Sequence, residues 1–101
     1  MSAFRLSPEA EAELGAVWLH IARDSGSIDA ATRVVERITN RFWLLARHPY
    51  IGRTRDEDLS PGLRSLTADG YVIIHRVDPH GVVLILHVFH GSRDIEGLAG
   101  R

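Results

Sequence analysis

Residues 71–89 have the sequence YVIIHRVDPHGVVLILHVF, and this stretch decides the fold. Two apolar runs, Tyr71–Val77 and Val82–Phe89, flank the segment 78–81, whose proline and glycine are typical of a hairpin-type link. A third run, Leu63–Thr67, precedes them across a second short link that ends in glycine. The three runs predict an antiparallel meander in the second half of the chain.

Both faces of the central hairpin are apolar. Val72 and Ile74 point away from Tyr71 and Ile73 if the strand alternates regularly. The second run alternates in the same way, with Val82, Leu84, Leu86 and Val88 opposing Val83, Ile85 and Phe89. An antiparallel sheet with one wet face should show polar residues on that face. We therefore expect something to cover the second face: the loop 50–61, the chain's own tail, an identical subunit or a different partner.

The first half of the chain has helical periodicity. Residues 3–7 can form a short strand, and Ser7-Pro8 then has the pattern of an N-cap followed by proline at the first helical position. A first helix is predicted at about 8–24, with Gly26 as its stop. Ser27 or Asp29 can cap a second helix that ends near Arg47, because Pro49 disfavours helical geometry at the preceding residue.

The order of these elements predicts the fold class. A strand, two helices joined by a short link and three strands give an α+β domain, β-α-α-β-β-β. We expect an antiparallel helical hairpin packed on one face of a small antiparallel sheet. The 101 residues suffice for one domain, assigned to 1–101.

Composition excludes several classes of function. The chain has no cysteine, which removes disulfides, thiolate metal sites and a cysteine nucleophile. All 12 basic residues are arginine, so no lysine can serve as a general base. The net charge of −1 argues against a protein that binds nucleic acid through its overall charge. We also expect no direct sequence-specific nucleic-acid binding by the chain alone. No apolar run is long enough for a membrane helix and the start lacks a signal-peptide stretch, so we expect a cytoplasmic protein without membrane contact.

Polar groups concentrate where the last predicted strand ends. His90 and Arg93 follow that strand, and Arg64 and Arg76 lie on its predicted neighbours. Such a set could grip or cleave a phosphodiester. The alternative is that Arg93 pairs with Asp94, Asp56, Glu57 or Asp58 and that the histidines take no part. His87 and His90 are spaced so that they face opposite sides of a strand, and no metal site or cofactor is expected. Trp43 lies off the apolar stripe of its helix and is a candidate anchor for a partner.

Four blocks of sequence, in order, carry a resemblance to a known family. The opening block has Leu6, Ser7, Pro8, Ala10 and Leu14, and the middle block has Leu45, Pro49, Gly52, Arg53, Arg55, Leu59, Gly62, Leu63 and Arg64. The strand block is Tyr71–Arg76, and the closing block has Val83, Ile85, Leu86, Val88, His90, Gly91, Arg93 and Asp94. From Leu6 to about Leu98 the chain resembles ParE-like toxins of the RelE/ParE superfamily, which belong to type II toxin–antitoxin modules and are also called plasmid stabilisation proteins.

The resemblance implies a toxin that binds and poisons DNA gyrase and is neutralised by a cognate ParD-like antitoxin in a hetero-oligomer. It implies no enzymatic activity. The alternative is a RelE-like, ribosome-dependent mRNA endoribonuclease using Arg64, Arg76 and His90. The absence of lysine weakens that alternative, since RelE-like chemistry commonly uses one.

Two sets of site residues follow. The antitoxin-binding set is expected to comprise Trp43, Arg53, Arg55, Arg64, Ile74 and Phe89. The target-binding, toxic set is expected at the C-terminal end and comprises His90, Arg93, Asp94 and Glu96. The alternative for that end is structural, with Ile95 and Leu98 docked on the helices.

Overall fold

The computed structural model describes residues 3–92. Its elements in chain order are β1 (Phe4–Leu6), α1 (Pro8–Ser25), α2 (Ile28–Arg47), β2 (Arg53–Thr54), β3 (Arg64–Ala68), β4 (Tyr71–Val77) and β5 (Val83–His90). The predicted α+β class, with an N-terminal strand and a helical hairpin on a sheet, is confirmed. The two-residue strand β2 was not predicted.

Local capping chemistry sets the ends of both helices. The hydroxyl of Ser7 accepts a hydrogen bond from the Ala10 N–H (2.9 Å), and Pro8 occupies the first helical turn. Gly26 ends α1 in the left-handed conformation, at φ 69°. The hydroxyl of Ser27 then accepts from the Ala30 N–H (3.1 Å), so Ser27 caps α2.

The five strands form one sheet in the order β1-β5-β4-β3-β2. The pairs among β2, β3, β4 and β5 are antiparallel, whereas β1 runs parallel to β5 with Phe4 opposite Val83. The predicted sheet was wholly antiparallel, and the observed sheet is mixed. The difference arises because the chain enters the sheet at the far edge of β5, beyond the meander.

A bulge in β5 changes which side chains share a face. Ile74 pairs with His87 and His75 pairs with Ile85, so Leu86 is the extra residue. Beyond it Val88 joins Ile85 in the cluster beneath the helices, while Leu86 and Phe89 lie in the cluster on the other face. The strict alternation expected over 82–89 is therefore wrong.

Helix α1 holds this bulge in place. The Ser7 hydroxyl donates to the Leu86 carbonyl (2.7 Å), and the Val88 N–H donates to the Glu13 carboxylate (3.1 Å). Glu13 also contacts Nδ1 of His87 at 3.2 Å. These hydrogen bonds satisfy the Leu86 carbonyl and the Val88 N–H, which lie beyond the end of the short strand β1.

Part of the second sheet face, around Val72, Ile74 and Phe89, is covered by the chain itself. Its buried residues Val72, Ile74 and Phe89 pack against Leu59, Leu63 and Leu86. Arg55 anchors the covering segment 55–63, because its guanidinium pairs with Asp58 and donates to the Ser65 hydroxyl (3.0 Å). Among the described residues, 3–92, the loop following α2 provides this cover, which is one of those considered from sequence.

Within the described part of the chain, no helix is both long enough and apolar enough to cross a membrane.

Candidate functional site

Trp43 is the exposed aromatic of the helical layer. Its side chain is 57% exposed, and its ring meets Phe4 of β1 edge-on, with ring centroids 4.7 Å apart. A large ring that packs on one edge and faces solvent with the rest is typical of an anchor for a partner. Trp43 is therefore exposed and off the apolar stripe of its helix, and its role as an anchor stays a prediction.

Arg53 and Arg64 lie on paired strands at the other edge of the sheet. Arg53 is exposed on β2, and Arg64 is half-buried on β3. One terminal nitrogen of Arg64 donates to the carbonyls of Tyr50 and Gly52, both at 3.0 Å. The guanidinium carbon lies 5.1 Å from the centre of the Tyr50 ring, a cation–π geometry. Arg64 therefore braces the segment after α2 as well as presenting charge.

Three members of the expected antitoxin-binding set lie in the interior. Ile74 is 1% exposed and Phe89 is 3% exposed, both under Leu59 and Leu63. Arg55 is buried and holds Asp58 and Ser65. These residues support the surface without forming it, because the segment 55–63, which Arg55 anchors, lies outside Ile74 and Phe89.

The three residues of the ribonuclease alternative do not converge. Arg64 pairs with His75, so its face of β4 is opposite to that of the next residue, Arg76. His90 pairs with Tyr71 at the other end of β4, about 17 Å along the strand from Arg76. The geometry provides no common point at which these groups could act on one phosphodiester.

Of the expected target-binding set, only His90 lies among the described residues. The exposed His90 ring meets Tyr71 edge-on, and its Nδ1 lies 2.8 Å from the Ser92 hydroxyl. Arg93, Asp94 and Glu96 lie outside the described residues, as do Ile95 and Leu98 of the structural alternative.

A groove beside His90 was not predicted. It has a volume of about 330 Å³ and lies between α1 and the end of β5, lined by Glu13, Ala16, Val17, His20, Tyr71, Val88, Phe89 and His90. The volume is about that of one or two large side chains, and the groove combines an apolar floor with the imidazoles of His20 and His90 at its rim. The spacing of Glu13, Val17 and His20 puts them on one face of α1, and this was the signal available in the sequence.

His75 is a second feature that the sequence analysis missed. Its ring is fully buried, and neither ring nitrogen has a hydrogen-bond partner. Burial, with a smaller contribution from the nearby charge of Arg64, lowers the pKa of His75 to about 4. The ring is therefore neutral at physiological pH.

The structure offers no candidate metal centre within residues 3–92, where no three His, Asp or Glu side chains are grouped to hold an ion.

Comparison with known proteins identifies the family. The model of the ParE toxin of the type II toxin–antitoxin system parDE matches residues 4–95. Toxin ParE1 of Mycobacterium tuberculosis is 30% identical over 95 residues, which cover 94% of this chain and 95% of that protein. Toxin ParE1 of Caulobacter vibrioides is 28% identical over 100 residues, covering 99% of this chain and 100% of that protein.

Two solved structures share the fold. The chromosomal ParDE toxin–antitoxin system of P. aeruginosa aligns with a TM-score of 0.75 at 24% identity, over 89% of this chain and 96% of that chain. The toxin–antitoxin complex RelBE2 of M. tuberculosis aligns with a TM-score of 0.60 at 26% identity, over 88% and 96%. Since the family model spans nearly the whole chain and a full-length relative reaches 30% identity, this chain belongs to the ParE toxins of type II toxin–antitoxin systems, within the RelE/ParE superfamily.

Proposed function

We propose that the chain arrests growth by binding DNA gyrase and that a ParD-like antitoxin neutralises it in a toxin–antitoxin hetero-oligomer. The observation that carries the binding mode is the divergence of Arg64, Arg76 and His90, which lie on two sheet faces and at two ends of β4. A general acid and phosphate-binding groups must meet around one scissile bond. A poison that acts by binding has no such requirement.

The antitoxin is proposed to contact the exposed members of the expected set. Trp43 offers an apolar anchor, and Arg53 and Arg64 offer positive charge to an acidic segment. Support for a partner of this kind comes from the P. aeruginosa relative in fold, whose description names a ParDE system. Arg55, Ile74 and Phe89 are assigned a supporting role, because they are buried.

Gyrase is proposed to contact the end of β5, at His90 and the groove beside it, together with Arg93, Asp94 and Glu96. Support comes from the accessible His90 ring and from the groove floor of Val17, Tyr71 and Val88. We propose no cofactor and no sequence-specific nucleic-acid contact by the toxin alone.

The ribonuclease remains the second candidate, favoured by the likeness to the RelBE2 complex. One experiment separates the two. Purified chain is added to gyrase supercoiling and cleavage reactions and, in parallel, to translating ribosomes with mapping of messenger ends. Inhibited supercoiling with intact messenger supports the proposal. Discrete messenger cuts that disappear in Arg64→Ala would assign the chain to the ribonucleases, and inactivity in both assays would refute the gyrase target.

A matched comparison of variants sharpens this test. Under the binding mechanism, Arg76→Ala and His90→Ala change potency only through affinity. Under the enzymatic mechanism, removal of either group lowers the cleavage rate by about 100-fold or more. Measurements at saturating toxin distinguish the two mechanisms. Excess toxin restores full gyrase inhibition by a variant that only binds more weakly, whereas a variant that has lost a catalytic group still cleaves messenger slowly.

A further inference from the structure

Two arginines flank a half-buried leucine in one row across the sheet. Arg5 of β1 pairs with Leu84 of β5, and Leu84 pairs with Arg76 of β4. Residues in register on adjacent strands share a face, so all three side chains lie on the face opposite the helices, as Val72 and Ile74 do. Adjacent strands are about 4.8 Å apart, so the two arginine positions are about 10 Å apart.

The charges of this row are available to a partner. Arg5 and Arg76 are exposed, and within residues 3–92 neither side chain forms an ion pair or a hydrogen bond. The pKa of Asp78 is lowered chiefly by the hydrogen bond from the Val82 N–H, with smaller contributions from His80 and Arg5. That carboxylate is already held by the N–H groups of Val82 and His80, at 2.9 and 2.8 Å.

Leu84 adds an apolar contact between the two charges. It is half-buried, unlike its neighbours Val83 and Ile85, which point under the helices and are fully buried. The covering residues Leu59 and Leu63 pack on Val72, Ile74 and Phe89, and Leu84 is not a member of that cluster. The row therefore presents a positive, an apolar and a positive position in that order.

We propose that this row, Arg5–Leu84–Arg76, binds an acidic amphipathic helix of the antitoxin. The spacing favours a helix, because residues i and i+7 lie on one helix face about 10.5 Å apart, which matches the separation of the arginines. An apolar residue at i+3 or i+4 then lies over Leu84. On an extended segment, side chains of one face recur at about 6.7 or 13 Å, and neither value matches.

This inference rests on the proposed antitoxin, and its test separates the two. The chain is co-expressed with the short reading frame expected beside its own, the candidate antitoxin, the complex is purified, and the affinity of the separated partners is measured by titration calorimetry. Arg5→Glu with Arg76→Glu is compared with Arg33→Glu with Arg41→Glu, which makes the same charge change at exposed positions of α2. Circular dichroism melts establish that each variant is folded.

We expect the Arg5/Arg76 variant to bind at least about tenfold more weakly and the α2 variant to lose less than about threefold. Replacement of one antitoxin Glu or Asp pair at i and i+7 by arginine should restore binding to the Arg5/Arg76 variant. Equal affinity of wild type and the Arg5/Arg76 variant, or equal losses in both double variants, would overturn the inference and leave the antitoxin proposal standing. Unchanged antitoxin affinity with lost binding of a single-stranded oligonucleotide would overturn it in favour of a nucleic-acid contact. Failure of the wild-type pair to associate would refute the antitoxin proposal itself.

Discussion

Replacing His75 by leucine should remove an acid sensitivity built into the core. In the folded chain the ring is fully buried without hydrogen-bond partners and its pKa is about 4, whereas an unfolded chain returns it to 6.5. Between these values the unfolded state binds a proton that the folded state does not. Stability should therefore be highest above pH 6.5 and fall as the pH decreases towards 4.

The magnitude follows from the two pKa values. Each pKa unit corresponds to about 1.4 kcal/mol, so the full loss below pH 4 is about 3 kcal/mol, and at pH 5 about 2 kcal/mol is already lost. This is a large fraction of the 5–15 kcal/mol that typically stabilises a domain. At pH 8, His75→Leu should also raise the free energy of unfolding by about 1 kcal/mol or more, since it removes two buried polar atoms that have no partner.

Urea unfolding at pH 8 and pH 5 measures both effects. The wild type should lose about 2 kcal/mol between these conditions, and His75→Leu should lose little of it. His20→Gln, at an exposed position of α1, is the matched control and should retain the wild-type loss. An equal loss in wild type and His75→Leu, or an imidazole signal of His75 that titrates near pH 6.5 in the folded chain, would refute this account.

Four further variants test other parts of the chain. Gly52→Ala should lower the free energy of unfolding by about 1–3 kcal/mol, because its Cβ would lie 2.6 Å from Nε2 of His75 and 3.0 Å from the Ser65 carbonyl. Gly15→Ala in α1 meets no neighbouring atom and should stabilise by about 0.5–1 kcal/mol; calorimetric melts that give both variants the same sign would contradict this pair. Asp58→Asn should lower the melting temperature and increase binding of a hydrophobic dye, because Arg55 then holds the cover of Val72, Ile74 and Phe89 less firmly, and an unchanged dye signal would argue against that role. The hydrogen bond with Arg55 is the main cause of the lowered pKa of Asp58. The stability that this pair adds should therefore be lost as the pH falls through the lowered pKa of Asp58. A chain ending at Gly91 should melt as the full chain does and bind antitoxin but no longer arrest growth; a much lower melting temperature with lost antitoxin binding would instead assign residues 92–101 to the fold.

Local signals were sufficient for the helices. Ser7-Pro8, Gly26 and Ser27 each act within one turn of chain, so the predicted helix ends agree with the structure to within a residue or two. The meander was equally accessible, since its links are short. The pairing partner and the direction of β1 could not be predicted from the sequence. Phe4 pairs with Val83, which is far away in sequence, and a three-residue run carries no directional signal.

The bulge explains why the faces of β5 were misassigned. No glycine marks it, and its geometry depends on the hydroxyl of Ser7 and the carboxylate of Glu13, which α1 brings to Leu86 and Val88. A one-residue insertion reverses every later side chain on the strand. Val88 was expected to lie on the face opposite Ile85, and it instead lies with Ile85 under the helices, where it forms part of the groove floor.

The expected site residues also show which signals a sequence carries locally and which depend on the pairing of distant strands. Apolarity identified Ile74 and Phe89 as a surface awaiting a partner, yet a strand that is apolar on both faces is equally suited to a covering loop, and Arg55 supplies the anchor for that loop. Pairing across strands was informative where proximity in sequence was not. Arg76 is adjacent to His75 in the chain but faces the opposite side of the sheet, and its neighbours in register are Leu84 and, beyond it, Arg5. The strand register thus separates Arg64, Arg76 and His90, the residues considered for catalysis. The same register brings Arg5, Leu84 and Arg76 together from distant parts of the chain in one row suited to binding.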